Sequence, residues 1–175
     1  MKRCFVWLAL ALLSGFSLQP AGAQGLDAAH SSDPGVFAEF TGARTGQGIG
    51  TLWGGSAGAY IQGHLLGLVV RGTAVPTNAS ARLYDAVFGP RLAFNLPILR
   101  VYVEAGGGVG YNGYESQYAT FASGWGPAWQ ADLGASHSLF PHLDWRILEI
   151  AVSHIYVGPG VTPVIASTGL SLHFR

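Results

Sequence analysis

Two neighbouring stretches decide the fold of this chain: RLYDAVFGPRLAFN at residues 82–95 and ILRVYVEAGGGVGY at residues 98–111. In the first, from Tyr84 onward, Phe88 and the residues in its phase are mostly apolar, whereas Arg91 and the residues in its phase are mostly polar or small. Alternation with a period of two is typical of β-strands, because successive side chains point to opposite faces. The second stretch repeats the pattern around Glu104. The sequence therefore predicts two strands, each with one apolar face and one polar face.

The same alternation, interrupted by turn residues, predicts eight strands along the chain. Each approaches or exceeds the ~9 to 11 residues that a tilted strand needs to cross a bilayer. Connections after the odd-numbered strands are longer or richer in Gly, Pro, Asn and Ser than those after the even-numbered strands. This asymmetry predicts an all-β fold, an eight-stranded antiparallel up-and-down transmembrane β-barrel with both termini at the short-turn end. The predicted strands cover residues 36–44, 55–64, 66–75, 82–95, 98–111, 124–139, 143–157 and 165–175.

The composition indicates which face of the barrel is outside. Only 10% of the residues are charged, against ~25% in typical soluble domains, and the only lysine is Lys2. The polar faces consist largely of Gly, Ala and Ser with isolated charges, which suits a narrow interior better than a surface in water. The apolar faces are then expected to contact outer-membrane lipid. Two aromatic girdles are expected, near the long loops at Tyr84, Tyr111, Trp125 and Tyr156 and near the short turns at Phe94, Phe140, Trp145 and Phe174.

The N-terminus has the pattern of an export signal. Lys2 and Arg3 precede the apolar run 5–13, and Ala21-Gly22-Ala23 has the small-x-small form of a signal peptidase site. We therefore expect a signal peptide over residues 1–23, a short periplasmic N-terminal segment over residues 24–35, and an outer-membrane β-barrel domain over residues 36–175. The only cysteine, Cys4, lies within the signal peptide. Stability must then come from packing and hydrogen bonds without disulfides.

The seventh predicted strand breaks the alternation. Asp144 and Arg146 share one phase, whereas Glu149 lies in the other. A β-bulge near Ile147 or Leu148 would bring all three side chains to the same face. Without it, Glu149 would point into lipid.

The predicted interior carries a set of charged residues of both signs. Charges in a narrow lumen are tolerated when they are paired and hydrogen-bonded, so we expect a structural ion network that fills the barrel. The alternative is a small ion-conducting pore, because charged side chains that line a narrow lumen set ion selectivity. The predicted network is Glu39, Arg71, Asp85, Arg91, Arg100, Glu104, Asp132, Arg146 and Glu149.

Three stretches resemble a known family: Phe88-Gly89-Pro90-Arg91, the run from Val103 to Gly110, and the final Ser167 to Phe174. They are similar to the small outer-membrane β-barrel proteins related to the transmembrane domain of OmpA and to OmpX. The resemblance implies that the last strand is the signal read by the barrel-assembly machinery during insertion, although Arg175 follows its terminal aromatic residue. The residues that would form this signal are Thr168, Leu170, Leu172 and Phe174.

Other chemistry has little support in the sequence. Some outer-membrane barrels modify lipid A, but Ser153 and His154 here are adjacent and point to opposite faces of their strand. No cofactor or metal site is expected, because the histidines show no ligand spacing. The balanced formal charge gives no support for a nucleic-acid partner. We expect a monomer with a structural, envelope-integrity or surface-interaction role; a soluble lipocalin-like binder, apolar inside and charged outside, is the competing class.

Overall fold

In the part of the chain that the structure describes, eight antiparallel strands follow one another in sequence order and close into a barrel. The structure is a computed structural model and describes residues 33–45, 50–76, 81–114, 123–158 and 160–174. Pairing of the last strand with the first confirms the predicted eight-stranded up-and-down fold. The strands are β1 (Asp33–Arg44), β2 (Thr51–Gln62), β3 (Leu66–Val75), β4 (Ala81–Asn95), β5 (Arg100–Tyr114), β6 (Gly124–Phe140), β7 (Leu143–Ile155) and β8 (Val164–His173).

Several predictions fall outside the described residues. These are the signal peptide at residues 1–23, most of the segment at residues 24–35, and the position of Arg175. Within the described residues, no helix is long and apolar enough to cross a membrane.

Four strands begin earlier than the alternation predicted, β4 and β8 by one residue and β1 and β2 by three and four residues. β1 starts at Asp33 instead of residue 36, because Gly35 is paired on both sides, with Tyr60 of β2 and His173 of β8. β2 starts at Thr51 instead of residue 55. The prediction took Gly54 for a loop residue, whereas it lies within the strand where neighbouring backbone comes close: a Cβ there would lie 2.0 Å from the Ala74 carbonyl oxygen.

The predicted division into two faces is confirmed. Phe88 and Leu133 point outward and are 58% and 56% exposed, whereas Arg71 and Glu104 point inward and are each 2% exposed. A β-strand places alternate residues on opposite faces, so closing the sheet sends one phase of every strand into the lumen. The large apolar side chains cover the outside, and most of the charged ones are inside.

The connections differ between the two ends of the barrel. At one end, here called the short-turn end, residues 63–65, 96–99 and 141–142 join the strands. At the opposite long-loop end, the connections cover residues 45–50, 76–80, 115–123 and 156–163. β1 begins and β8 ends at the short-turn end, as the alternation of connection lengths predicted.

Aromatic side chains lie at both ends of the outer surface. At the long-loop end, the ring centroids of Tyr84 and Tyr111 are 6.0 Å apart, and those of Tyr111 and Trp125 are 5.4 Å apart. At the short-turn end, Phe94, Phe140, Trp145 and Phe174 are all exposed. The two predicted girdles are therefore present in the structure.

The predicted bulge in β7 is also confirmed. The register with β6 shifts so that Ala135 pairs with Leu148 and Ser136 pairs with Arg146, which leaves Ile147 as the extra residue. The register with β8 shifts between Arg146 and Glu149. Both side chains point into the lumen as a result, and each is 1% exposed.

Candidate functional site

The centre of the lumen is organised around Arg71 of β3. Its Nη2 atom donates to Glu149 Oε2 at 2.8 Å and to Glu104 Oε2 at 2.9 Å. Its Nη1 atom donates to Asp132 Oδ1 at 3.0 Å and lies 3.9 Å from Glu39 Oε2. One guanidinium therefore faces four carboxylates, which come from four other strands. Removing water from these ions is costly, and close pairing with good hydrogen-bond geometry offsets that cost.

Two further arginines extend this arrangement. Arg146 Nε lies 2.6 Å from Glu39 Oε1, and the same guanidinium forms an ion pair with Glu149 across the bulge. Arg91 of β4 forms an ion pair with Glu104 of β5, its cross-strand neighbour. We call the seven paired residues the central ion network, which consists of Glu39, Arg71, Arg91, Glu104, Asp132, Arg146 and Glu149.

Aromatic rings pack against the guanidinium groups of this network. The Arg91 guanidinium carbon lies 4.3 Å from the Tyr60 ring centroid and 4.2 Å from that of Tyr102. The Arg146 guanidinium lies 4.0 Å from the Phe37 ring centroid. Cation–π contacts at these distances are favourable, and more so away from water. The Tyr102 hydroxyl also donates to Glu149 Oε2 at 2.9 Å. Tyr102 is therefore held by a cation–π contact of its ring and by a hydrogen bond of its hydroxyl group.

Inward-facing glycines make room for these large side chains. A Cβ at Gly134 would lie 2.3 Å from the ring of Tyr102, its partner on the adjacent strand. In the glycine run of β5, Gly110 makes room for Ile155, because a Cβ there would lie 2.8 Å from the Ile155 side chain. At Gly108 the contact is instead with backbone, 1.9 Å from the Ala86 carbonyl oxygen.

Two of the nine predicted network residues lie elsewhere in the lumen. Asp85 is buried nearer the long-loop end, in register with Thr73 of β3. Arg100 lies at the short-turn end, where its Nε donates to Asn95 Oδ1 at 2.7 Å and its Nη1 lies 3.7 Å from Asp144 Oδ2. Arg100 shares the inward phase with the central residues, but the strand places it too close to the mouth to reach them.

A second polar cluster, at the short-turn end, was not predicted. His173 Nε2 lies 2.6 Å from Asp144 Oδ2, and its Nδ1 lies 2.9 Å from the Tyr60 hydroxyl. A cavity of about 340 Å³ opens beside this cluster and is lined by Arg100, Asp144 and His173 among others. From the sequence, the histidines were assessed only for metal-ligand spacing, and His173 was not placed in the lumen. Its phase in β8, four residues after the inward Gly169, was the signal that could have placed it inside.

An apolar layer at the long-loop end of the lumen was also not predicted. Its strand residues lie on the inward phase towards the long-loop end, Val157 follows the end of β7, and each residue of the layer is buried. The expected division into an oily outside and a polar inside fails here, because inward positions beyond the charges are themselves apolar. The layer consists of Ala43, Leu52, Val75, Leu83, Ala128, Ala151, Ile155, Val157 and Ile165.

Ser153 and His154 are not brought together by the structure. Ser153 is buried on the inward face of β7, whereas His154 points outward, where its Nδ1 lies 2.7 Å from the Thr162 hydroxyl. The His154 ring also packs against Tyr156, with centroids 4.4 Å apart. This matches the opposite orientations expected from their adjacent positions.

Similarity to known proteins is confined to the fold. No protein-family model matches the chain, and no curated protein matches its sequence. Among solved structures, Neisserial surface protein A has a TM-score of 0.59 and 15% identity over 82% of this chain and 97% of that chain. The attachment invasion locus protein of Yersinia pestis has a TM-score of 0.52 and 14% identity over 82% and 97% of the two chains.

The N-terminal β-barrel domain of Pseudomonas aeruginosa OprF is similar to the same degree. It has a TM-score of 0.53 and 18% identity, and the match covers 80% of this chain and 97% of that chain. At these identities the likeness shows the shared eight-stranded barrel.

Proposed function

We propose that this chain is an exported, integral outer-membrane β-barrel protein with a structural, envelope-integrity or surface-interaction role, and that its lumen is closed to ions. One observation carries the proposal: the polarity of the barrel is inverted relative to a protein in water. Large apolar side chains such as Phe88 are exposed, while Arg71 and Glu104 are buried in the interior. Lipid is the solvent in which that distribution is stable. A lipocalin-like binder would show the opposite distribution.

Closure of the lumen is supported by two successive layers. The central ion network pairs its charges with one another, which leaves few sites for a passing ion. Beyond it, the nine apolar residues of the layer at the long-loop end fill much of the lumen, with the buried Asn112 opposite Leu83. Narrow apolar constrictions block conduction by excluding water.

The similar structures agree with a role at the cell surface. Two of them are named as a surface protein and as an attachment invasion locus protein. In the present chain the strand ends that the four long connections join all lie at one end of the barrel. In an outer membrane that end would face outward, so any contact with the surroundings would be made there.

The last strand fits the proposed insertion signal. The outward residues Thr168, Leu170 and Leu172 of β8 alternate with inward ones, Phe174 directly follows the strand, and all four are exposed. Before β8 pairs with β1, these outward side chains are available for recognition by the barrel-assembly machinery.

Replacing Phe174 with Ser is expected to reduce the amount of protein in the outer membrane. The control is the replacement of Phe140 with Ser, at a neighbouring position of the same aromatic girdle.

Membrane placement is tested by fractionating cells and running the protein on detergent gels with and without heating. The unheated barrel is expected in the outer-membrane fraction and to migrate differently from the heated chain. Recovery in the soluble fraction without any heat-dependent mobility would contradict the proposal.

Closure is tested by recording currents after reconstitution into planar bilayers. We expect no stepwise conductance from the wild-type barrel. The variant with both Arg91→Gln and Glu104→Gln is expected to fold less stably, because the central ion network loses a pair. Clear conductance steps in the wild type would favour the small pore. Unchanged folding and unchanged conductance in the double variant would remove the proposed role of the network.

A further inference from the structure

The outer surface of the barrel carries two charged side chains among the described strand residues, and both are arginines. Arg44 is the last residue of β1, and Arg82 is the second residue of β4. Both strand ends lie at the long-loop end, and both side chains are exposed. The ion pairs between described residues lie inside the barrel, so neither guanidinium has a carboxylate partner among those residues.

Arg44 lies directly beyond a stacked aromatic pair. The outward positions of β1 run from Phe40 through Gly42 to Arg44. The indole of Trp53 covers Gly42, where a Cβ would lie 2.9 Å from the ring, and it stacks on Phe40 with centroids 5.4 Å apart. The guanidinium therefore follows an apolar aromatic platform at the next outward position.

Arg82 has the same kind of neighbourhood on the other side of the barrel. It pairs with Gly113 of β5, and the Tyr111 ring covers that glycine, where a Cβ would lie 2.6 Å from the ring. Tyr111 in turn packs against Tyr84 and Trp125. In both places an aromatic ring packs closely over a glycine of the outer surface, Trp53 over Gly42 and Tyr111 over Gly113. An arginine lies next to each ring, at the edge of the apolar surface.

We propose that Arg44 and Arg82 bind the phosphate groups of anionic lipid headgroups in the leaflet at the long-loop end. This rests on the proposed placement in a membrane. Aromatic rings of this kind lie at the level where acyl chains meet headgroups, which puts the two guanidinium groups at the level of the phosphates. Arginine binds phosphate through two parallel hydrogen bonds.

The occupant is a lipid because of where the arginines lie. They project from the side wall of the barrel, and the outward residues next to them are aromatic. A partner that contacts both the guanidinium groups and the adjacent aromatic rings must carry a phosphate group and an apolar tail in the same molecule. The described strand residues at the short-turn end include no outward-facing charge, so the interaction would select one leaflet and one orientation.

The test uses the full mature protein folded in an uncharged detergent. Bisphosphorylated lipid A is added, and binding is measured by native mass spectrometry at several salt concentrations. Each arginine near a membrane surface contributes about 1 kcal/mol to binding anionic lipid, so Arg44→Gln with Arg82→Gln should weaken binding by roughly tenfold or more. The wild-type affinity should fall as salt is raised, because the contacts are exposed to solvent.

The controls test whether binding depends on these two arginines and on the lipid phosphates. Arg100→Gln, at the opposite end of the barrel, should leave lipid binding unchanged, and lipid A with its phosphates removed should bind the wild type as weakly as the double variant binds intact lipid. Inorganic phosphate alone should not compete at millimolar concentration. The proposal would be overturned if the wild type and the double variant bound lipid A equally well, or if the wild type bound dephosphorylated and intact lipid A equally well. Heat-dependent mobility of every variant is measured separately, so a failure of membrane placement is distinguishable from a failure of lipid recognition.

Discussion

Gly134 shows how narrowly the lumen is packed at a single residue. Its Cα faces the Tyr102 ring, and an added methyl group would lie 2.3 Å from that ring. Gly134→Ala should destabilise the barrel by about 1–3 kcal/mol, because Tyr102 must move and its hydrogen bond to Glu149 is disturbed. Reversible unfolding in urea, followed by tryptophan fluorescence, measures the loss.

Gly72→Ala provides the matched control. At Gly72 the nearest heavy atom would lie 3.8 Å from the new methyl group, which is ordinary contact. We expect its stability to stay within about 0.5 kcal/mol of the wild type, as for surface substitutions in general. Equal losses for the two variants would show that glycine acts in this barrel through backbone freedom and not through space for Tyr102.

Arg71 is the residue on which the central ion network depends most. Arg71→Met keeps most of the side-chain volume but leaves Glu149, Glu104, Asp132 and Glu39 without their shared cation. Breaking a buried pair in this way costs about 3–5 kcal/mol, because unpaired charge remains inside. Arg100→Met, at the partly exposed mouth, should cost less than about 1 kcal/mol. A smaller loss for Arg71→Met than for Arg100→Met, measured by unfolding in urea, would contradict the role of the network.

At the residue scale, the sequence predicted which side chains face inward but not which of them meet. The period of two assigns Arg100 and Arg71 to the same face with equal strength. Whether they meet depends on strand tilt and register, which a single strand does not encode. Tyr102 and His173 were missed for a related reason: their partners Glu149 and Asp144 lie on strands far away in the sequence.

The bulge in β7 is the element on which the charge arrangement depends. Deleting Ile147 would restore regular pairing and turn either Arg146 or Glu149 toward the outside. Exposing a charge to lipid near the midplane and breaking its ion pairs should together cost more than about 3 kcal/mol. We expect the deletion variant to show no heat-dependent mobility.

Ile147→Val is the control for the deletion, since it keeps the chain length and an apolar side chain. It should fold like the wild type, with a stability loss below about 1.5 kcal/mol. A deletion variant that folds as well as Ile147→Val would mean that β7 tolerates either register.

At the element scale, the bulge was predictable because a conflict of phase between charges is visible in the sequence. The start of β2 was not predictable, because glycine is typical of loops and Gly54 was therefore assigned to the preceding connection. The structure uses that glycine where two strands approach too closely for a Cβ, and such an approach is a property of the sheet as a whole.

At the scale of the whole molecule, the depth of a residue in the proposed membrane should decide what its substitution costs. Leu133 lies on the outer face near the middle of β6, and Leu139 lies on the same face near the short-turn end; both are exposed. Leu133→Arg should cost about 2–4 kcal/mol and Leu139→Arg about 0–1 kcal/mol for a barrel folded in lipid vesicles. Equal costs would contradict a bilayer centred on Leu133.

The architecture as a whole was predicted from the sequence, since alternation, charge scarcity and connection lengths all favour one barrel. The apolar layer inside its long-loop end escaped prediction because the contrast between the faces is reversed there: Ala43 and Leu83 point inward next to the outward Arg44 and Arg82. A pattern that assigns the apolar phase to the outside is misleading at these positions.

The extra residue in β7 also changes how this strand would respond to systematic mutation. In a scan that places a polar residue at every position, tolerated and damaging sites should alternate along each strand. Along β7 this alternation should shift by one residue at Ile147. Substitutions at even-numbered positions should be the damaging ones before Ile147, and those at odd-numbered positions should be the damaging ones after it. The position of a single inserted residue could thus be read from growth or expression data alone, without any structure.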